Sequence, residues 1–207
     1  MKLSNLPVTA GIVAVAGTLM LAQAPAAPAP AQNAPAAQKP PAAGVPRSAA
    51  QGRTTARAAI KGEGITGTAR FVERAQGTGT LVEITVTASG LKPGRHGVHL
   101  HAVGTCEPDF AAAGGHFDPG PAANPDPDAN HPFHMGDIPN LEVGAGGRGT
   151  MQIATSRVTL SEGPLSLFDA DGSAIIIHGN PDQGITGEPK SGVSGGPRVA
   201  CGVITRN

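Results

Sequence analysis

The chain has no tryptophan and no tyrosine, and only five phenylalanines among its 207 residues. A core built on large aromatic side chains is excluded, and with it the immunoglobulin type of disulfide-linked sandwich, which sets a Trp between its cysteines. Charge of one sign is lacking as well, because fifteen Lys and Arg balance fifteen Asp and Glu. No bulk field then draws the chain toward nucleic acid or an anionic membrane, and any attraction for an anion must be local. The region after residue 56 also lacks any long apolar run of helical period, which disfavours a helical bundle. What is abundant is turn-forming residue, thirty Gly and twenty Pro, so the core falls to Val, Ile, Leu and Ala on many short strands.

Residues 1–24 read as a secretory signal: Lys2, an apolar stretch from Val8 to Leu21, then the small-residue triplet Ala22-Gln23-Ala24. The apolar stretch is too short for a membrane span. Residues 25–55 are dominated by Ala, Pro, Gln and Gly, a flexible tether that cannot bury a core. Residues 56–207 form the folded domain. Export to the periplasm or the extracellular space is expected, with the tether available to hold the protein at the cell envelope. Two cysteines, Cys106 and Cys201, suit a disulfide in such an oxidising compartment.

Alternation marks the strands. From Thr80 to Thr87, Val82, Ile84 and Val86 share one face and Glu83, Thr85 and Thr87 the other. Gly97 to His101, Thr150 to Ala154 and Val199 to Val203 alternate too, and Ala174 to Ile177 is a short run ahead of His178. Lys92-Pro93-Gly94, Gly144 to Gly149 and Asp171-Gly172 punctuate them as turns. The class is therefore all-β, an antiparallel sandwich or barrel.

Two catalytic-looking patterns carry no chemistry. Gly62 to Gly67 matches a dinucleotide-binding glycine pattern, but the strand-like Thr68 to Glu73 follows where a helix would have to hold the pyrophosphate. Gly192 to Gly196 matches a nucleophile elbow, yet no His or Asp follows Ser194 to complete a triad in that fold's chain order.

The histidines are the informative feature. Six of the seven, His96, His99, His101, His116, His131 and His134, fall in one stretch, and Asp137 follows closely. On a strand His99 and His101 point to one face while Val98 and Leu100 point to the other, so two imidazoles converge while two apolar groups enter the core. Neutral imidazoles suit copper and zinc. His99 and His101 with two further histidines suit Cu(II), and His116, His131, His134 and Asp137 offer three nitrogens and a carboxylate compatible with tetrahedral zinc. His96 lies on the opposite face from His99 and is expected to brace a loop by a hydrogen bond.

The stretches Gly97-Val98-His99-Leu100-His101, Gly114 to Pro119, His134-Met135-Gly136-Asp137, Ile177-His178 and Gly196 to Ile204 resemble, in order and spacing, the copper/zinc superoxide dismutase family. The resemblance runs from near Ala56 to the C-terminus and implies a Greek-key barrel with long metal-binding and electrostatic loops. It implies copper on His99, His101, His116 and His178, and zinc on His116, His131, His134 and Asp137, with His116 bridging. It further implies a Cys106–Cys201 disulfide, Asp182 as the carboxylate joining the two metal sites, and Arg198 as the residue that meets the substrate anion. Glu188 and Lys190 are candidates for steering that anion.

One departure stands out: only two residues separate His131 from His134, after an unusual Asn124-Pro125-Asp126-Pro127-Asp128 insertion. The implied reaction is the dismutation of superoxide, with Arg198 and His116 as its catalytic residues. Superoxide is the expected partner, and a homodimer is open to the chain. The rival expectation is a non-catalytic periplasmic copper and zinc binding or storage protein using the same histidines.

Overall fold

A computed structural model describes residues 53–120 and 126–207. The signal of residues 1–24, the tether up to residue 52 and Asn124-Pro125 of the insertion lie outside the described residues. Nine strands form: β1 (Thr55–Gly62), β2 (Ile65–Gln76), β3 (Gly79–Ser89), β4 (Gly94–His101), β5 (Asp137–Val143), β6 (Arg148–Thr155), β7 (Ala174–His178), β8 (Arg198–Val203) and β9 (Thr205–Arg206). Among the described residues the only helical element is one 3-10 turn, Phe110–Ala113. None of their helices is long and apolar enough to cross a membrane.

Alternation turns into burial as period two requires. On β3, Val82, Ile84 and Val86 are fully buried, and on β1, Ala56, Ala58 and Ile60 face inward while Arg57, Ala59 and Lys61 are exposed. The glycine pattern at 62–67 is the β1–β2 hairpin, with Gly64 at a φ of 67° in its turn. Strand neighbours run β2-β3-β6-β5-β4-β7-β8-β1, and β1 also pairs with β2, so eight antiparallel strands close on themselves. Closure removes the ring's free edges. The neighbours β3–β6, β4–β7 and β1–β8 are far apart in sequence, as in a Greek key.

The barrel interior is aliphatic, with Ile84, Val98, Leu100, Leu141, Ile175 and Ile177 packed around Phe71 and Phe117. Each such side chain contributes about 1.5–3 kcal/mol by leaving water. A second, smaller cluster joins Ala113, Ala174, Ile176 and Cys201, with Cys106 and Phe110 against it. Since Ile175 and Ile177 alternate with Ala174 and Ile176, this cluster lies on the outer face of β7. Strand β7 is buried on both faces, as is β4 from His96 onward. The Cys106–Cys201 disulfide, with Cα atoms 5.9 Å apart, ties the loop after β4 to β8 over that cluster.

Three strands escaped the sequence reading, β1, β5 and the two-residue β9. Strand β1 falls across the expected start of the folded domain at residue 56, where no element was assigned. Strand β5 contains Pro139 and Asn140, which look like strand breakers; Pro139 is tolerated because β5 meets β6 at only one residue pair, Val143 with Gly149.

Candidate metal centre

His99 and His101 leave β4 on its outer face, opposite Val98 and Leu100. His178 ends β7, which pairs with β4. His116 arrives through an isolated antiparallel bridge to His101. Nearby, Gly136 lies so close to β4 that a Cβ there would sit 2.2 Å from the Leu100 carbonyl oxygen. That close approach brings Asp137 opposite His99 in the β4–β5 register. The ring centroid of His99 lies 4.0 Å from that of His116 and 4.9 Å from that of His178. The donor atoms of His99, His101, His116 and His178 lie within 4.8 Å of one another, all buried.

Each of these rings has one nitrogen tied to oxygen and one without a partner. His101 Nδ1 donates to the Gly114 carbonyl and His178 Nδ1 to the Gly196 carbonyl, both at 3.0 Å. His99 Nε2 lies 3.0 Å from Asp182 Oδ2, and His116 Nδ1 lies 2.5 Å from Asp137 Oδ1. The other four nitrogens, His99 Nδ1, His101 Nε2, His116 Nε2 and His178 Nε2, are buried without a hydrogen-bond partner. Leaving a buried polar atom unsatisfied costs about 1–3 kcal/mol, so four converging at one point mark a place built for a cation. Burial lowers the pKa of His99, His101 and His178, and the last two fall well below the ordinary value, with neighbouring rings and Arg198 adding to the effect. Burial and the adjacent His99 push His116 down to about 3. Neutral imidazole is the metal-binding form.

The second group gathers around Asp137. His134 Nδ1 lies 3.2 Å from Asp137 Oδ2, which also accepts the His134 backbone N–H at 2.9 Å. His131 Nδ1 lies 3.3 Å from the same oxygen and makes no hydrogen bond, while its Nε2 lies 2.7 Å from Asp182 Oδ1. Here the four mutually close buried donors are His99, His116, His131 and Asp137. His134 reaches the carboxylate but not that set, and its Nε2 is buried without a partner. His99 falls near both groups because Asp182 joins it to His131. Burial works to raise Asp137 and Asp182, but hydrogen bonds from the histidines outweigh it and hold both well below the usual carboxylate range. Burial works to lower His131, and the two carboxylates outweigh it, pushing it up to about 9.

Arg198 opens β8 and is held by two backbone carbonyls, Phe110 through Nη1 and Gly114 through Nη2, each at 2.6 Å. The Gly114 carbonyl therefore serves both Arg198 and His101. Burial lowers the Arg198 pKa against the opposing pull of Asp109, yet a guanidinium stays charged throughout the ordinary pH range.

His96 braces the loop as expected, its Nδ1 lying 2.8 Å from the His178 carbonyl and its Nε2 2.8 Å from that of Lys92. Glu188 and Lys190 are exposed on the loop before Arg198 and form no part of either cluster. Sequence reasoning missed Asn140, which grips the Asp182 backbone with its amide nitrogen and oxygen at 2.9 and 2.8 Å. It also missed the carbonyls of Gly114 and Gly196. No sequence signal marks a carbonyl, since every residue has one.

Comparison with known proteins agrees with this geometry. A family model described as copper/zinc superoxide dismutase (SODC) matches residues 65–204. The chain belongs to the copper/zinc superoxide dismutase family. Superoxide dismutase [Cu-Zn] 2 of Brassica juncea is 40% identical over 146 residues, covering 69% of this chain and 90% of the relative. The superoxide dismutase-like protein YojM of Bacillus subtilis (strain 168) is 38% identical over 142 residues, 66% of this chain and 69% of its own. Among solved structures, the clock protein EA4 superposes with a TM-score of 0.61 at 26% identity, covering 73% of this chain and 94% of its own. The family and the donor sets agree on copper and zinc as the metals: four imidazole nitrogens suit copper, and a mixed nitrogen and carboxylate set suits zinc.

Proposed function

We propose that the protein is an exported superoxide dismutase, converting two superoxide anions and two protons to oxygen and hydrogen peroxide. His99, His101, His116 and His178 hold copper; His116, His131, His134 and Asp137 hold zinc; His116 belongs to both. The observation that carries this reading is the set of four buried, partnerless ring nitrogens whose sister nitrogens are each tied to oxygen. Copper there supplies alternating one-electron chemistry, and zinc supplies a fixed charge without redox activity.

The chain's own residues do the rest. Arg198 binds the anion: two of its five N–H groups serve carbonyls, and the remaining ones are free to meet a small oxyanion. On a chain without net charge, this one oriented cation focuses the field at the site. His116, with Nδ1 facing Asp137, can hold or release a proton at Nε2 inside the four-ring cluster. Asp182 orients His99 and His131 together, and Asn140 holds Asp182 in place. Export is supported by the disulfide, which persists in oxidising compartments.

The rival reading, metal binding or storage without catalysis, has no use for Arg198. The test is metal content and superoxide dismutation on one purified, reconstituted sample. Copper and zinc in equal amounts with cyanide-sensitive dismutation is the expected result. Bound metal without dismutation would establish the storage reading instead.

A further inference from the structure

We propose that Asp128 is a positioning residue that couples the loop bearing His131 and His134 to the loop wrapped around His178, so that zinc bound on one side orders the copper side. The proposal rests on the metal assignment above. Asp128 belongs to the unusual insertion, and its side chain is buried at 3% exposure. Its Oδ2 accepts the Gly192 N–H at 2.6 Å, and its Oδ1 accepts the Ser194 N–H at 3.0 Å and the Ser194 hydroxyl at 2.7 Å. Among the described residues no Lys or Arg forms an ion pair with it. A buried carboxylate satisfied only by the donors of one short segment fixes that segment's path. The Asp128 carbonyl accepts the Gly187 N–H at 3.0 Å, and the Thr186 hydroxyl donates to the His131 carbonyl at 2.6 Å. The Lys190 N–H also donates to Asp126 Oδ1 at 3.3 Å, so the far loop meets this segment on both sides of Asp128.

The segment that Asp128 grips has little order of its own. Gly192, Gly195 and Gly196 have φ of 80°, 115° and 61°, and glycine gives the backbone wide freedom to leave such a path. Yet this segment sets His178. A Cβ at Gly195 would lie 2.7 Å from the His178 Cβ, so the backbone rests on the base of that ring. The Gly196 carbonyl accepts the His178 Nδ1 proton, which leaves Nε2 bare for metal. The Gly195 carbonyl accepts the Asn180 N–H, and that of Pro197 accepts the Gly179 N–H. From His131 the physical path runs through Asp128 to residues 192–194, then to Gly195–Gly196 and the His178 ring.

Asp182 is a separate tie at the other end of the same loop. It accepts the Gly184 N–H at 2.6 Å, and its end is joined to residues 192–196 by the Gln183 N–H to Val193 carbonyl bond at 2.9 Å and the Asn180 N–H to Gly195 carbonyl bond at 3.0 Å. Loss of Asp128 therefore removes the three bonds that fix Gly192 and Ser194 and loosens 192–196, while 182–184 stays held.

The test is amide hydrogen exchange on the full-length, metal-free protein, with and without zinc alone, in wild type and Asp128→Ala. In wild type, zinc is expected to slow exchange in 126–134 and in 192–196. In Asp128→Ala, zinc is expected still to slow 126–134 while protection of 192–196 falls at least about tenfold. Equal zinc protection of 192–196 in that variant overturns the proposal. No zinc protection of either loop in wild type overturns the metal assignment first. Should Asp128→Ala fail to fold, Ser194→Ala removes one donor of the three and is expected to give a smaller loss at the same amides; no loss there overturns the coupling. The Cu(II) electron paramagnetic resonance spectrum gives a second readout. It is expected to change in Asp128→Ala at full copper and zinc content, and an unchanged spectrum counts against a role in setting His178.

Discussion

The two halves of the metal centre are built by different means. His99, His101 and His178 stand on β4 and β7, where strand period fixes the direction of each ring, and the tied nitrogens of His101 and His178 meet neutral backbone carbonyls. His131 and His134 stand on a loop, and their nitrogens meet the carboxylates of Asp137 and Asp182. A carbonyl fixes a tautomer without adding charge, and burial keeps His101 and His178 neutral; His99, tied instead to Asp182, is lowered by burial as well. A carboxylate favours the charged ring, and His131 is pushed up to about 9. At His131 a metal must displace a proton to enter; on the strand side it meets lone pairs already bare.

Breaking the disulfide is expected to disturb the strand side most. Cys106 and Cys201 are 95 residues apart, and a loop of that length corresponds to about 4–5 kcal/mol in the chain-entropy model. Cys201→Ser should lower the midpoint of thermal unfolding by roughly 8–20 °C, by the usual 2–4 °C per kcal/mol for a domain of this size. It should also release the Phe110 and Gly114 carbonyls that hold Arg198.

The next largest effect should fall first on the loop side. His131→Ala is expected to weaken zinc at least 10- to 100-fold, the scale set by loss of an outer partner. Copper should remain, as read by metal analysis; joint loss of both metals would mean the halves are not separable. Arg198→Ile should lower kcat/KM by roughly tenfold or more and flatten its salt dependence, with both metals retained. Unchanged kinetics would remove Arg198 from anion binding.

The smallest effect concerns pH in the metal-free protein. His101 and His178 have folded pKa values below their ordinary 6.5, so below that pH the unfolded chain binds more protons and stability falls. Each ring adds a slope of up to about 1.4 kcal/mol per pH unit. Asp137 and Asp182, lowered from 3.8, add a further loss as pH falls below that value. The raised His131 acts in the opposite sense, its contribution fading as pH rises through about 9. Denaturant midpoints should therefore peak near pH 6.5 and decline toward about 9, as His131 loses its proton in the folded state. A flat profile would show that the two sides respond alike.

The same contrast decided what could be read in advance. His99 and His101 were legible because alternation with Val98 and Leu100 is a local property, whereas His178 entered the ligand set only through the resemblance to the family. Arg198 and the disulfide came with the family pattern around them. The contact of Asp128 with Gly192 spans 64 residues, and no local periodicity encodes which loop will meet which. Strand β5 was hidden by Pro139 and Asn140, yet Asn140 turns out to hold Asp182. A polar residue that looks like a breaker was there to position a carboxylate.

Strands β4 and β7 have a consequence for how the chain tolerates mutation. From His96 to His101 and from Ala174 to His178 every side chain is dry, with barrel packing on one face and the metal centre or the disulfide cluster on the other. Such segments offer no neutral positions, because any change disturbs either packing or ligation. Variation should therefore collect on positions such as Arg57, Ala59 and Lys61 of β1, which face water, and lineages of this chain should drift there while β4 and β7 stay fixed.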